Sequence, residues 1–132
     1  MMISTKGRYA LRFLIDLARH QENGYVALRD VAGRQGISEK YLEIVVKELV
    51  KGGFLVALRG KGGGYRLSRA PEEIGVHEVL ERMEGPLAPV ACLEPGREEC
   101  PRKGECPTIS LWQGLDRVIE DYLSQYTLAQ LV

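Results

Sequence analysis

The stretch from Ser38 to Arg66 constrains the fold more than any other part of this chain. Ser38 is suited to cap a helix, because its hydroxyl can accept a hydrogen bond from an unpaired backbone N–H of the first turn. Gly52-Gly53 ends the same helix, since glycine adopts the left-handed conformation without a Cβ penalty. Between these ends, apolar residues recur at three- and four-residue steps and predict one buried stripe, formed by Leu42, Val45, Val46, Leu49 and Val50.

Two β-type segments follow this helix directly. Residues 54–59 and 65–67 are rich in strand-forming side chains, and the glycine-rich residues 60–64 between them suit the tip of a hairpin. A helix followed at once by a basic, glycine-tipped hairpin predicts a winged helix.

Two helices are predicted before this element, over about residues 5–19 and 28–34. Gly36 breaks the second helix, and Ile37 supplies an apolar plug before the capped helix that follows. Helix, glycine turn and capped helix form the pattern of a helix-turn-helix. The expected fold class is therefore mainly α with a small β wing.

The distribution of charge favours a nucleic-acid partner, although the formal net charge is zero. Residues 1–68 contain 12 Lys and Arg against 6 Asp and Glu, whereas residues 69–132 contain 6 against 12. A basic half joined to an acidic half suggests one DNA-facing side. The alternative is a chance asymmetry on a solvated surface.

Candidate DNA contacts lie on the three predicted helices and on the wing. The capped helix would enter the major groove by its N-terminal turns, where Glu43 could accept from cytosine N4; a solvated helix charge is the alternative. Arg59 adjoins the wing glycines, and arginine is favoured in a narrow minor groove. Cations near the start of the first helix oppose its dipole, so phosphate contact and ordinary solvation explain them equally well. The candidates are Lys6, Arg8, Arg29, Ser38, Lys40, Tyr41, Glu43, Arg59 and Lys61.

All three cysteines fall within one turn-rich loop, at Cys92, Cys100 and Cys106. An odd number of thiols makes a closed disulfide framework a poor explanation. Clustered thiols in a polar loop indicate metal ligation, and thiolates suit zinc or iron–sulfur clusters. The spacing is not a pair of C-x2-C units, which disfavours zinc. Metal-free thiols or a redox disulfide remain open.

The last predicted helix begins at residues 107–108 and carries a wide apolar stripe, formed by Leu111, Trp112, Leu115, Val118, Ile119, Tyr122 and Leu123. A small winged domain cannot bury this stripe alone, so an antiparallel pair across a two-fold axis is expected. The alternative is packing onto its own subunit only. The expected organisation is a winged helix-turn-helix domain (1–84), a cysteine-rich cluster-binding loop (85–107), and a dimerisation helix with a C-terminal tail (108–132).

Other function classes are disfavoured by the composition. No apolar run approaches the roughly 20 residues of a membrane span, and the N-terminus lacks the features of a signal peptide, so we expect a cytoplasmic protein without membrane contact. We find no nucleophile–base constellation, and residues 60–64 lack the Lys-Ser/Thr of a phosphate loop. An enzyme is therefore not expected.

Four segments resemble a family of bacterial winged helix-turn-helix regulators that includes IscR, NsrR and CymR. They are Ser-Thr-Lys-Gly-Arg-Tyr-Ala-Leu (4–11), Gln-Gly-Ile-Ser (35–38), Tyr-Leu-Glu (41–43) and Arg-Gly-x-Gly-Gly-Gly-Tyr (59–65). The resemblance covers essentially the whole chain and is strongest to the three-cysteine, IscR-like branch. It implies a homodimeric transcription factor, expected to be a repressor, on a double-stranded DNA operator with two-fold symmetry. It also implies an iron–sulfur cluster at the three cysteines, with [2Fe-2S] favoured over [4Fe-4S], that senses iron–sulfur or redox status.

Three positions depart from the pattern of that family. IscR-like members have a ligating histidine three residues after the third cysteine, where this chain has Ile109; NsrR-like members use an acid of the first helix, where this chain has Arg8. Ile44 replaces a polar amide that is common after Glu43, so the base sequence read is open. The candidates for the fourth ligand are an external thiol, solvent, Glu94, Glu98, Glu99, Glu105 and His77.

Two alternative functions stay open at this point. One is a metal-free regulator of cysteine metabolism controlled by a partner protein, because CymR-like relatives lack the cysteine loop. The other, from a different class, is an iron–sulfur or zinc carrier that binds DNA only incidentally.

Overall fold

The computed structural model describes residues 3–98, 100–102 and 104–132. Within these residues the expected fold class, mainly α with a small β wing, is confirmed. The longer elements, in chain order, are α1 (Thr5–Arg19), α2 (Leu28–Gln35), α3 (Glu39–Lys51), β1 (Leu55–Leu58), β2 (Gly64–Leu67), α4 (Val76–Glu84) and α5 (Ile109–Ser124). None of the described helices is long and apolar enough to cross a membrane.

The turn between α2 and α3 has the geometry that its sequence predicts. Gly36 lies in the left-handed region with φ of 64°, a conformation that costs glycine little. Ile37 is buried, and its N–H donates to the carbonyl of Ala32 at 3.1 Å. The hydroxyl of Ser38 accepts from the backbone N–H of Tyr41 at 3.3 Å. The predicted break, plug and cap are therefore confirmed, and they fix the angle at which α3 leaves α2.

The core of the helix-turn-helix lies between α1, α2 and α3. Most of the predicted apolar stripe of α3 is buried in it, together with Phe13 and Leu14 of α1. The prediction was wrong for Val50, whose side chain is 37% exposed. Val50 lies at the edge of the stripe and lines the groove between α3 and the wing, whereas Leu49 beside it is fully buried.

The wing is a two-stranded antiparallel hairpin in which Leu55 pairs with Leu67 and Leu58 pairs with Gly64. Val26, just before α2, adds a third short segment, since Val26 and Tyr65 exchange two backbone hydrogen bonds of 2.8 Å. A Cβ at Gly64 would overlap the carbonyl of Val26, so this close approach requires glycine. The wing is thereby attached to the start of α2 as well as to the end of α3.

A carboxylate at the end of α4 contacts the start of α1. Oε1 of Glu84 accepts from the backbone N–H of Ser4, the hydroxyl of Ser4 and the backbone N–H of Gly7, at 3.1, 2.6 and 2.9 Å. A Cβ at Gly7 would overlap this carboxylate. A negative charge at the N-terminus of α1 is favourable for the helix dipole. The contact therefore fixes α4 against the start of α1.

Helix α5 packs onto α4 with one side only. Leu123 of α5, and Tyr126 just after the helix, contact a small cluster formed by Val76, Leu80 and Leu87. The opposite side of α5 is left between 41% and 63% exposed at four large apolar residues: Leu111, Leu115, Val118 and Tyr122. Packing on its own subunit therefore leaves much of the predicted stripe uncovered. The chain ends in a short 3-10 helix, Leu128–Gln130, whose first N–H donates to the carbonyl of Ile74 at 3.0 Å.

Candidate DNA interface and cysteine loop

The surface of α3 opposite the core carries a continuous row of long side chains. Lys40, Glu43, Ile44 and Lys47 are all exposed and recur at the spacing of one helical face. No other element covers this row within the described part of the chain. The row is thus accessible to solvent, and contact of Lys40 and Glu43 with DNA stays a prediction.

Two further candidates of α3 are held by contacts with their neighbours. The hydroxyl of Ser38 already accepts the cap hydrogen bond, so it retains its proton for a phosphate. The half-buried ring of Tyr41 meets the ring of Tyr9 edge-on, with centroids 5.6 Å apart at 89°. Arg12 lies over the other aromatic ring, 5.2 Å from the centroid of Tyr9. Packing against α1 therefore sets the orientation of the Tyr41 ring.

The structure brings the wing and α3 to one groove. Glu43 and Lys47 of α3 line this groove together with Arg59 of the wing. Lys61, at the wing tip, is exposed. Two basic side chains, Lys47 and Arg59, and one acid, Glu43, thus border this groove.

The remaining basic candidates lie outside this groove. Arg29 is exposed on the first turn of α2, and Arg8 is exposed on the first turn of α1, where it donates to the hydroxyl of Thr5 at 3.3 Å. Lys6 is half-buried beside it. Their DNA contacts remain predictions.

A buried acid that the sequence reasoning missed positions the helix-turn-helix. Asp16 of α1 is 2% exposed. Its carboxylate accepts from Nη2 of Arg34 at 2.7 Å, from Nε of Arg34 at 3.1 Å and from Nε2 of Gln35 at 2.9 Å. Arg12 adds hydrogen bonds to the side chain and the carbonyl of Gln35. The signal was present in the sequence, since Asp16 falls within the apolar periodicity of the first helix.

These contacts make the stability of the turn pH-dependent. Burial alone would raise the pKa of Asp16, but hydrogen bonds from Arg34 and Gln35, with the charge of Arg34, lower the pKa below its ordinary value. A pKa that is lower in the folded than in the unfolded chain stabilises the fold above the unfolded pKa of about 4. This contribution is lost as the pH falls through the folded-state pKa.

Asp16→Asn is expected to lower the free energy of unfolding by about 2 kcal/mol at pH 7, because charge-assisted hydrogen bonds become weaker neutral ones. The deficit should begin to shrink as the pH falls below about 4, because the unfolded wild-type chain then binds a proton that folded Asp16 does not yet bind. Urea denaturation between pH 7 and pH 3 measures this difference in the free energy of unfolding. The matched control is Glu22→Gln, which removes the charge of an exposed carboxylate. A deficit that is equal at both ends of this range would contradict the assignment.

The three cysteines line one cavity of about 410 Å³ at the N-terminal end of α5. Cys92 and Cys100 are exposed, and Cys106 is half-buried with its Sγ 3.4 Å from the hydroxyl oxygen of Thr108. Hydrogen bonding to the side chain and backbone of Thr108 lowers the pKa of Cys106, although burial opposes this. A lower pKa favours the thiolate, which is the form that ligates metals.

The residues that line this cavity show which of the candidates for a fourth ligand lie near the three cysteines. Glu94 lines it, and so does Ile109, the position of the expected histidine. Glu98 and Glu105 do not line it, and His77 lies on α4, 3.6 Å from Glu81. Glu99 lies outside the described residues. Within residues 3–98, 100–102 and 104–132, no three His, Cys, Asp or Glu side chains converge as the ligands of one metal ion.

Comparison with known proteins identifies the family of this arrangement. The Rrf2 family, described as iron-dependent transcriptional regulators, matches residues 3–132. The chain belongs to the Rrf2 family. This Rrf2 protein is 39% identical over all 132 residues to the HTH-type transcriptional regulator IscR of Pectobacterium carotovorum subsp. carotovorum (strain PC1), of which it spans 79%.

Two solved structures share its fold over nearly the whole chain. CymR, the global cysteine regulator of B. subtilis, superimposes with a TM-score of 0.80 at 36% identity and covers 99% of this chain and 95% of its own. T. potens IscR superimposes with a TM-score of 0.78 at 35% identity and covers 99% and 85%. The predicted family and a DNA-binding transcriptional regulator are confirmed, and its relatives are regulators rather than enzymes.

Proposed function

We propose that this Rrf2 protein acts as a homodimer on a two-fold symmetric DNA operator and represses transcription there. We further propose that it senses iron–sulfur or redox status through a cluster held by Cys92, Cys100 and Cys106. The observation that carries the proposal is that these three thiols line one cavity at the start of α5. A transcriptional regulator must share a compartment with the DNA that it binds, so we assign this protein to the bacterial cytoplasm.

The DNA contacts that we propose combine base readout by α3 with backbone and minor-groove contact by the wing. The exposed row on α3 presents Lys40 and Glu43 to base edges and phosphates. Arg59 and Lys61 project from a hairpin whose glycines allow the backbone to approach DNA closely. The groove between α3 and the wing would then seat one sugar–phosphate backbone.

Arg59→Ala is expected to weaken operator binding about 10- to 50-fold, because a lost minor-groove arginine removes a favourable electrostatic contact. Fluorescence anisotropy at one fixed salt concentration measures this on a duplex selected by the protein from a random pool. Arg19→Ala, an exposed arginine at the other end of α1, is the matched control. Equal affinity of Arg59→Ala and wild type would contradict the proposed role of the wing.

The dimer contact that we propose is the uncovered side of α5. Its four apolar residues follow one helical face along most of the 16 residues of the helix. A second copy of α5, running antiparallel across a two-fold axis, presents the same residues in return. Two DNA-binding domains related in this way would reach half-sites about one helical turn apart.

The cysteine cavity fits an iron–sulfur cluster better than a single ion. A cluster takes its thiolates on more than one iron, so its ligands need not converge on one point as the ligands of zinc do. Arg97 lines the same cavity, with its Nε 3.9 Å from Oε2 of Glu94. A guanidinium here would offset the negative charge of three thiolates. When bound, the cluster would supply a group sensitive to iron supply, oxygen or nitric oxide.

We retain [2Fe-2S] over [4Fe-4S] as the proposed cluster, and we propose Glu94 as its fourth ligand. Among the protein side chains expected for this role, Glu94 is the described one that reaches the cavity. A carboxylate is a weaker partner for iron than a thiolate or an imidazole, which suits a cluster that must be lost to give a signal.

A packed route connects the cavity with the DNA-binding domain. Ile109 and Gln113, in the first turns of α5, line the cavity, while Leu123 near its end packs on α4. Glu84, at the end of α4, holds the start of α1. A shift of α5 with the state of the cluster would therefore reorient the recognition helices of the dimer.

The alternatives gain no support over this function. Similarity to CymR supports the fold and DNA binding, both of which a cluster regulator shares. An iron–sulfur or zinc carrier would keep its cluster-transfer activity in Arg59→Ala, whereas a regulator would lose operator affinity.

A further inference from the structure

We propose that Ile44 selects the operator by contacting the methyl group of a thymine in the major groove. The inference rests on the proposed operator binding by α3 and adds the base that one residue of α3 recognises.

The exposure of Ile44 is the starting observation. Its side chain is 56% exposed, whereas Leu42 and Val46 on the opposite side of the same helix are buried. It lies in the middle of the outward-facing row, between Lys40 and Lys47. Single exposed aliphatic residues are common on protein surfaces, so its location on the recognition helix decides the argument.

Within the described chain, nothing covers Ile44. It belongs to neither buried apolar cluster. Its neighbours on the row are charged and favour contact with phosphates or base edges. The surface that approaches Ile44 when α3 enters a groove is therefore the edge of a base pair.

The chemistry of the side chain then selects the base. Ile44 can neither donate nor accept a hydrogen bond, so it would leave the polar edge of guanine, adenine or cytosine unpaired on contact. Thymine is the base that presents a methyl group in the major groove. The residue would thus favour thymine both by apolar contact and by penalising the other bases.

The test compares thymine with deoxyuridine, which lacks this methyl group and otherwise pairs identically. Wild-type protein first selects a duplex from a random pool, and each thymine of one half-site is then replaced by deoxyuridine in turn. Wild type is expected to lose affinity by about four-fold at one position, the value of one buried methyl. Ile44→Ala should bind the thymine and deoxyuridine duplexes equally.

Lys40→Ala is the matched control on the same face of α3. It should weaken binding to both duplexes by the same factor and preserve the preference for thymine. Wild type that binds every substituted duplex as tightly as the thymine duplex would overturn the contact while leaving operator binding intact. Failure to select any duplex would overturn the operator proposal and the Ile44 contact together.

Discussion

Val118→Glu is expected to separate the dimer into folded monomers and to abolish tight operator binding. Val118 is 63% exposed on α5, near the middle of the uncovered apolar face. The antiparallel pair would bury two such positions against each other, so the substitution would bury two like charges without partners. We expect the dimer dissociation constant to rise at least about 100-fold, equivalent to about 3 kcal/mol.

Analytical ultracentrifugation measures the dissociation constant, and anisotropy on the selected duplex measures binding. Ser124→Glu, at an exposed position of the same helix outside the four-residue apolar face, adds the same charge and should leave both unchanged. The helical content of both variants should match wild type, since Val118 is not in the core of the subunit. A dimeric Val118→Glu protein would contradict the proposed interface.

Cys106→Ala is expected to remove the cluster completely, because two thiolates and one carboxylate cannot hold it. Cys106 is half-buried, and Thr108 favours its thiolate, so it should be the strongest of the three ligands. Protein purified without oxygen should be colourless and contain no stoichiometric iron or acid-labile sulfide. Its operator affinity should equal that of cluster-free wild type.

Glu94→Ala should have a smaller and spectroscopically distinct effect. The three thiolates remain, so a cluster should form, but its electron paramagnetic resonance or visible circular dichroism spectrum should shift and it should be lost faster in air. Glu98→Ala, in the same loop but outside the cavity, should match wild type. Identical spectra of Glu94→Ala and wild type would show that the fourth ligand comes from elsewhere.

Much of the fold could be predicted because its signals are local. The cap at Ser38, the break at Gly36 and the glycine-tipped hairpin each depend on residues within a few positions of one another. Val50 shows the limit of such reasoning. Periodicity places it on the apolar stripe, but periodicity cannot say where the neighbouring elements stop.

The contacts that position the site could not be predicted because they join distant parts of the chain. Asp16 meets Arg34 across 18 residues, and Glu84 reaches Gly7 across 77. The sequence pattern places an acid among apolar positions of the first helix, but it does not identify the residue that pairs with that acid. The cysteine loop lies between these cases: its spacing indicates ligation, whereas separating Glu94 from the other acids requires the shape of the cavity.

The most direct test of the central claim is operator affinity measured on one preparation before and after removal of its cluster. Protein purified without oxygen should carry visible absorbance with matching iron and acid-labile sulfide. We expect removal of the cluster to change operator affinity by at least about ten-fold, the size of a typical coupling between two sites. A colourless protein that resists reconstitution, or a cluster whose removal leaves operator affinity unchanged, would contradict the account.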